Sequence, residues 1–336
     1  MRARTRMLLP LALAAALTAA CGESGSSGTG GDAEATRGAS GEACAPVAGD
    51  QLVVLEDDMN LQNADNVIPA VNAAFAGANP AVLPALDAVS AELTTEQLVE
   101  LNAAVDVERQ TAEETAAAWV EESGVTEGLE QGSGAVAVGG ANFTESTILA
   151  NIYAEVLTAA GFDASVVEVG NRELYLAALQ AGTDIQVFPE YLATSTDFIN
   201  RQLNGAEAEG VATGDVQETL TALEPLAAEF GLVYGEPSEA ADQNAFAVTQ
   251  AFADEVGVTT LTELAEACGD GSLILGGPAE CPERAQCQPG LEETYGLQFD
   301  SFRELDAGGP LTKAALQQGE ISVGLVFSSD GALAQG

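Results

Sequence analysis

Histidine is absent from all 336 residues. Without imidazole there is no Ser-His-Asp or Cys-His nucleophile, no H-E-x-x-H zinc site and no histidine general base. Bases are scarce too: ten Lys and Arg, with Lys313 the one lysine, face 52 Asp and Glu, for a formal net charge of -42. Such a chain repels a polyanion and has no basic stripe with which to release counterions, so nucleic acid is excluded as a partner. The acid excess also makes a surface that stays soluble in high salt. Long apolar runs are missing as well. The one candidate, Met7 to Ala20, is too short for ~30 Å of hydrocarbon, follows Arg2, Arg4 and Arg6, and reads as a signal peptide over residues 1–20. What remains is 47% hydrophobic and long enough for one large or two medium domains.

The apolar run ends Leu17-Thr18-Ala19-Ala20-Cys21, which resembles a bacterial lipoprotein cleavage site. The expectation is an exported chain anchored through lipidated Cys21 to the outer face of the cell membrane, followed by a Gly, Ser and acid-rich flexible linker over residues 21–50. Export makes the other cysteines, Cys44, Cys268, Cys281 and Cys287, disulfide candidates with three possible connectivities. The close spacing of Cys281 and Cys287 favours that pair as the staple of one loop. Cys44 with Cys268 follows by elimination alone. A metal site would need thiolates in an oxidising compartment and more ligands than are visible, and no metal or cofactor is expected.

From Ala135 onward, strand and helix patterns alternate. Ala135 to Val138 reads as a strand, and Thr144 as the N-cap of a helix whose buried face carries Ile148, Ile152 and Val156. Ala164–Val169 (strand), Glu173–Ala181 (helix) and Ile185–Phe188 (strand) complete a β-α-β-α-β run, which implies a parallel sheet with right-handed crossovers. A second set follows: strands at 245–248, 273–275 and 321–327 and helices at 261–267 and 311–317. Residues 52–124 read differently, as one strand, Leu52–Leu55, and then helices. Thr94-Thr95-Glu96-Gln97 is a capping box ahead of Leu98 and Leu101. Trp119, the only tryptophan, lies among alanines and reads as a packing residue.

Several stretches together resemble the substrate-binding proteins of osmoprotectant ABC importers, which take glycine betaine, choline, carnitine and related quaternary amines. They are Val138-Gly139-Gly140-Ala141-Asn142-Phe143-Thr144-Glu145, Phe188-Pro189-Glu190-Tyr191, Leu275-Gly276-Gly277-Pro278 with Arg284, Tyr295-Gly296-Leu297, and Val326-Phe327-Ser328-Ser329-Asp330-Gly331. The resemblance implies an α/β fold of the two-lobe, periplasmic-binding-protein-like (type II) kind, closing about a hinge on its solute, with a permease and ATPase as partners. The order of the stretches departs from the family. Leu55-Glu56-Asp57-Asp58 and its helices open the chain where the family places them last, so the sequence reads as a circular permutant joined through Gly132-Ser133-Gly134. Termini that lie close together on a domain surface permit this. Lobe 1 is then expected over 51–192 and lobe 2 over 193–330, with 331–336 returning to the hinge beside Asp50.

A quaternary ammonium cannot donate hydrogen bonds. Aromatic faces or a carboxylate hold it best, while an Arg fork or helix N-terminal amides hold a partner carboxylate. The resemblance places Asn142, Phe143, Thr144, Tyr191, Thr194, Asn244, Arg284 and Phe327 around the solute, with Tyr191 and Arg284 on opposite walls. The family's usual Lys before Asn142 is Ala141 here, and an aromatic is replaced by Asp65, beside Asn66. One anion partner is gone and one negative charge has arrived, which predicts a preference for choline over a zwitterion. Asp57, Asp58, Asn60 and Asp65 lack the Gly and terminal acid of a calcium loop. The rivals are a sensor, a receptor for another small amine or amino acid, and an exported enzyme using Glu190 or Asp330 as acid and base, for which the residues offer no mechanism.

Overall fold

A computed structural model describes residues 44–169, 172–269 and 271–335. The expected signal peptide, Cys21 and the linker up to residue 43 lie outside them. The chain opens with strands β1 (Leu52–Leu55) and β2 (Val67–Asn72), then helices α1 (Ala73–Ala78), α2 (Val82–Glu92), α3 (Thr95–Asp106) and α4 (Ala112–Ser123). Next come β3 (Ala135–Ala141), α5 (Thr144–Ala159), β4 (Asp163–Val169), α6 (Arg172–Ala181) and β5 (Val187–Tyr191). They are followed by α7 (Leu192–Asn204), α8 (Val216–Phe230), β6 (Leu232–Tyr234), β7 (Asn244–Thr249), α9 (Gln250–Val256) and α10 (Leu261–Cys268). The last are β8 (Leu273–Gly277), α11 (Gln288–Thr294), β9 (Phe299–Glu304), α12 (Pro310–Gln317) and β10 (Val323–Phe327).

The strands form two five-stranded sheets, β4-β3-β5-β2-β6 and β1-β7-β10-β8-β9. In the first, β3 runs parallel to both β4 and β5, as the βαβ pattern predicts. Strand β2, absent from the sequence reading, lies antiparallel between β5 and β6 with all six residues buried. Its Pro69 faces Pro189 of β5. Two residues without N–H therefore meet at one rung, where neither owes the ladder a donor. In the second sheet β7 pairs antiparallel with β1 and β10, and β8 runs parallel to β10 and β9.

The partition differs from a boundary at residue 192. Leu52–Leu55 adds to the edge of β7 in the second sheet. Residues after Tyr191 stay with the first sheet, because Ile199 of α7 and Leu223 and Ala227 of α8 bury against Phe188 and Ile68. The chain thus crosses between the halves over 56–66, 235–243 and 328–331. These crossovers are bonded together: Asn66 bridges Ala241, Asp242 N–H donates to Asp65 O (3.2 Å), and Ser328 Oγ donates to Ala241 O (2.8 Å). Asn66, expected to touch solute, is buried and spends its amide on the carbonyls of Ser238 and Glu239. Gly336 is outside the described residues. The 3-10 turn Gly331–Gln335 before it lies against α3 at Gly331, where an added Cβ would come within 2.5 Å of the Ala103 nitrogen, and Leu333 packs with the cluster of Leu52 and Val54.

Local rules account for the helix starts. Thr94, Thr111 and Thr260 each close a capping box. Helix α5 differs from expectation: its N-cap is Phe143, with no side-chain cap, and Thr144 is the first helical residue. The Thr144 hydroxyl is turned away to Asp106 (2.7 Å). Trp119 is buried in the core that α2, α4 and α5 build around Ile148 and Leu149. Cys44 is bonded to Cys268 and Cys281 to Cys287, and all four pack in the core of the second half.

Candidate functional site

Where the crossovers leave the two halves, a cavity of about 500 Å³ opens, lined from both sides. The first half contributes helix α7 and the end of the first crossover. Thr194, Asp197 and Arg201, spaced three and four apart, fall on one helical face and all line the space, with Gln62, Asn63 and Asp65 beside them. The second half contributes Asn244 at the start of β7, Phe327 at the end of β10, and Arg284 and Gln286 from the loop that Cys281–Cys287 closes. Five residues expected from the sequence therefore share one cavity: Asp65, Thr194, Asn244, Arg284 and Phe327. Gln62, Asp197, Arg201, Gln243 and Gln286 were not anticipated. The α7 spacing from Thr194 was the one signal available for Asp197 and Arg201.

Several polar groups of this cavity are already held by partners within the chain. Asp65 accepts from the backbone N–H of Thr194 (2.9 Å) and from its hydroxyl, so its carboxylate sits on the amino end of α7, where the helix dipole favours negative charge. Asp197 accepts from Val211 N–H (2.6 Å) and pairs with Arg201 at 3.9 Å. Arg284 pairs with Glu280 at 3.3 Å and keeps 65% of its side chain exposed, so it can reach an anion in the cavity. Its loop is tied to the first crossover by Gln62 Nε2 donating to Gln286 O (2.9 Å). Gly290 permits that approach, since a Cβ there would fall 2.3 Å from Leu61 Cδ1 and 2.2 Å from Ala285 O. Asp57, considered for calcium, instead accepts from Leu61 N–H, Gln62 N–H and the Tyr295 hydroxyl and so shapes the same crossover.

The remaining expected residues do not line this cavity. Tyr191 was expected on a wall, but it is 6% exposed, because its hydroxyl donates to buried Glu145 at 2.5 Å. The Phe143 ring stacks on it at 6.4 Å between centroids and is 46% exposed; Asn142 beside it is exposed. Asn102 of α3 donates to Glu145 Oε2 (2.6 Å) and to Ser329 O (2.8 Å), and Ser329 Oγ donates to Asp242 (2.9 Å). Desolvation raises the Glu145 carboxyl above the usual range, and burial followed by repulsion from Glu145 pushes Asp242 up to about 7. Burial, then the Glu145 charge, likewise raises the Tyr191 phenol. Of the acids weighed as catalysts, Glu190 is fully buried in β5 and Asp330 pairs with Lys313 at 2.6 Å. A second space of about 280 Å³, between α8 and β6, contains none of the expected residues.

Comparison with known proteins bears on this geometry. The model of a family described as the substrate-binding domain of an ABC-type glycine betaine transport system matches residues 43–122 and 134–335. The glycine betaine-binding protein YehZ of Escherichia coli (strain K12) is 26% identical over 212 residues, 61% of this chain and 67% of that protein. The solved structure of apo YehZ from Escherichia coli superposes with a TM-score of 0.50 at 24% identity, covering 59% of this chain and 71% of that one. A crystal structure titled as a glycine betaine/carnitine/choline ABC transporter gives 0.44 at 20% identity, covering 60% and 70%.

Proposed function

This chain belongs to the family of substrate-binding domains of ABC-type glycine betaine transport systems, binding proteins and not enzymes, and from that membership we propose that it is an extracytoplasmic receptor for a small quaternary ammonium solute. The solute sits in the 500 Å³ cavity between the halves and passes to a membrane permease driven by its ATPase. The observation that carries the reading is the convergence of Asp65, Thr194, Asn244, Arg284 and Phe327 on that one space. Asp65 supplies a carboxylate for the cation, Phe327 a ring face, and Arg284 a fork for an anionic group. Closure of the halves about the three crossovers completes the site. The absence of a Lys at Ala141 and the presence of Asp65 favour choline over glycine betaine.

Two further parts belong to the same reading. The chain is tethered outside the cell by lipid on Cys21, on the strength of the Arg2-to-Ala20 segment ahead of it. Residues 51–129 are a family C-terminal segment moved to the front, supported by the Gly331–Gln335 turn lying against α3 and beside β1.

Calorimetric titration of the intact chain with choline and with glycine betaine tests the function. Choline is expected to bind more tightly. Arg284→Ala is expected to weaken glycine betaine on the order of tenfold and to leave choline little changed, since only betaine carries a carboxylate for the fork. Tighter betaine binding overturns the preference, and no binding of either overturns the assignment.

A further inference from the structure

Among the described residues, the junction of the halves holds more hydrogen-bond acceptors than donors. Glu145 and Asp242 offer four carboxylate oxygens, and the buried Asn102 Oδ1 has no donor. Against these stand one proton each from the Tyr191 and Ser329 hydroxyls and the Asn102 amide, which is shared between Glu145 and the Ser329 carbonyl. Those two acceptors also fix which way the amide points. Among the described residues neither carboxylate has a basic partner, and Lys313 is held by Asp330. Tyr191 from the end of β5 donates to Glu145 and is acted on by Asp242 and by Asp65 of the first crossover, while Asp330 from the third crossover, paired with Lys313, acts on Asp242. Glu145 and Asp330 therefore both oppose a negative charge on Asp242. An added proton supplies the missing donor and removes one charge. Burial raising both carboxyls agrees with this count.

The junction also adjoins the solute. Asp242 precedes Gln243 and Asn244, which line the cavity, and Tyr191 precedes Ala193 and Thr194, which line it from the other side. The open Phe143 ring lies two residues from Glu145. Asp65, which lines the cavity, acts on Tyr191, the donor to Glu145, so a cation in this space joins the same group of charges through a partly desolvated medium, where opposite charges attract and deprotonation is favoured.

Building on the receptor reading, we infer that Glu145 and Asp242 hold one proton between them and release it when a cationic solute seats, so that binding is coupled to proton release. The carboxyl O–H bond breaks, the proton leaves to solvent or buffer, and the solute's positive charge takes its place.

The test is calorimetry of the intact chain with choline chloride at pH 6 in two buffers of different ionisation enthalpy, repeated from pH 5 to 8. The expected result is a net release approaching one proton per solute. Affinity should rise by up to about tenfold per pH unit below 7 and level off above it. Asp242→Asn and Glu145→Gln should each flatten that profile; two variants are used so that one failing to fold leaves the other. Carbon-13 NMR of the solute-free chain should show a side-chain carboxyl titrating near neutrality. Choline binding without proton release and with flat affinity, or with affinity that falls as pH rises, overturns the coupling and leaves the receptor reading standing. A silent NMR titration overturns the shared proton whether or not any amine binds. Failure to bind any quaternary amine at any pH overturns both readings.

Discussion

The two halves of this molecule reach stability by different routes. The half built on β2 contains no cysteine and relies on two apolar clusters, one around Ile148, Leu149 and Trp119 and one around Phe188 and Ile199. The half built on β7 buries fewer residues in its two clusters taken together and carries both disulfides within the larger of them. The difference extends to the cavity. The first half presents Thr194, Asp197 and Arg201 from one face of a helix, whose backbone already fixes their spacing. The second presents Arg284 and Gln286 from a loop held by a short 3-10 turn, by Cys281–Cys287 and by the Gln62 bond. A loop that carries a ligand contact needs a staple where a helix does not.

The disulfides are the sharpest way to break this comparison. Replacing Cys44 and Cys268 by Ser reopens a loop of more than two hundred residues and should cost about 5 kcal/mol in the loop-entropy model, read as a lower denaturant midpoint. The same replacement at Cys281 and Cys287 should cost only about 2 kcal/mol, yet weaken solute binding more, because it frees Arg284. If both pairs lowered stability and affinity in the same proportion, the assignment of one bond to the scaffold and the other to the site would be wrong. A third test probes the junction shared by the halves, through a gradual dependence on pH instead of a single loss. Unfolded, Asp242 ionises near its ordinary value of 3.8, whereas folded it keeps its proton up to about 7. Between those values the native state binds more protons than the unfolded chain, so stability should fall as pH rises from about 4 to about 7 and then level off. The slope should be at most about 1.4 kcal/mol per pH unit, and Asp242→Asn should remove it. Thermal melting across that range is the measurement. A rise with pH in the same window would contradict the burial of that acid.

What the sequence displays clearly is local. The strand, helix and turn alternation from Ala135 to Phe188 and the capping box at Thr94 each depend on residues within one or two turns of each other, and both formed as expected. Strand β2 escaped because Val67-Ile68-Pro69-Ala70-Val71-Asn72 shows no alternation and contains a proline, which argues against a central strand unless its partner also lacks an N–H. That partner, Pro189, is remote in the chain. The attachment of β1 to β7 is likewise a contest between two sheet edges that no short window can decide. At the site, Asp65, Thr194 and Arg284 were legible through family resemblance and charge chemistry. Tyr191 was misplaced because its burial depends on Glu145, which reads from sequence as an ordinary acid in the first turn of a helix. Asp242 carried no signal at all: it lies in an aperiodic connection, and its environment comes from three separate passages of the chain.

The order of strands has a consequence for synthesis. The first sheet cannot be completed until β6, ending at Tyr234, has been made, because β2 needs partners on both sides. In the second, β1 precedes the other described strands and its partner in the sheet is β7, while β7 in turn waits for β10, which ends at Phe327. A nascent chain therefore carries the unpaired apolar edge of β1 until β7 has been made, and the half that bears Arg284 closes only once Phe327 has emerged.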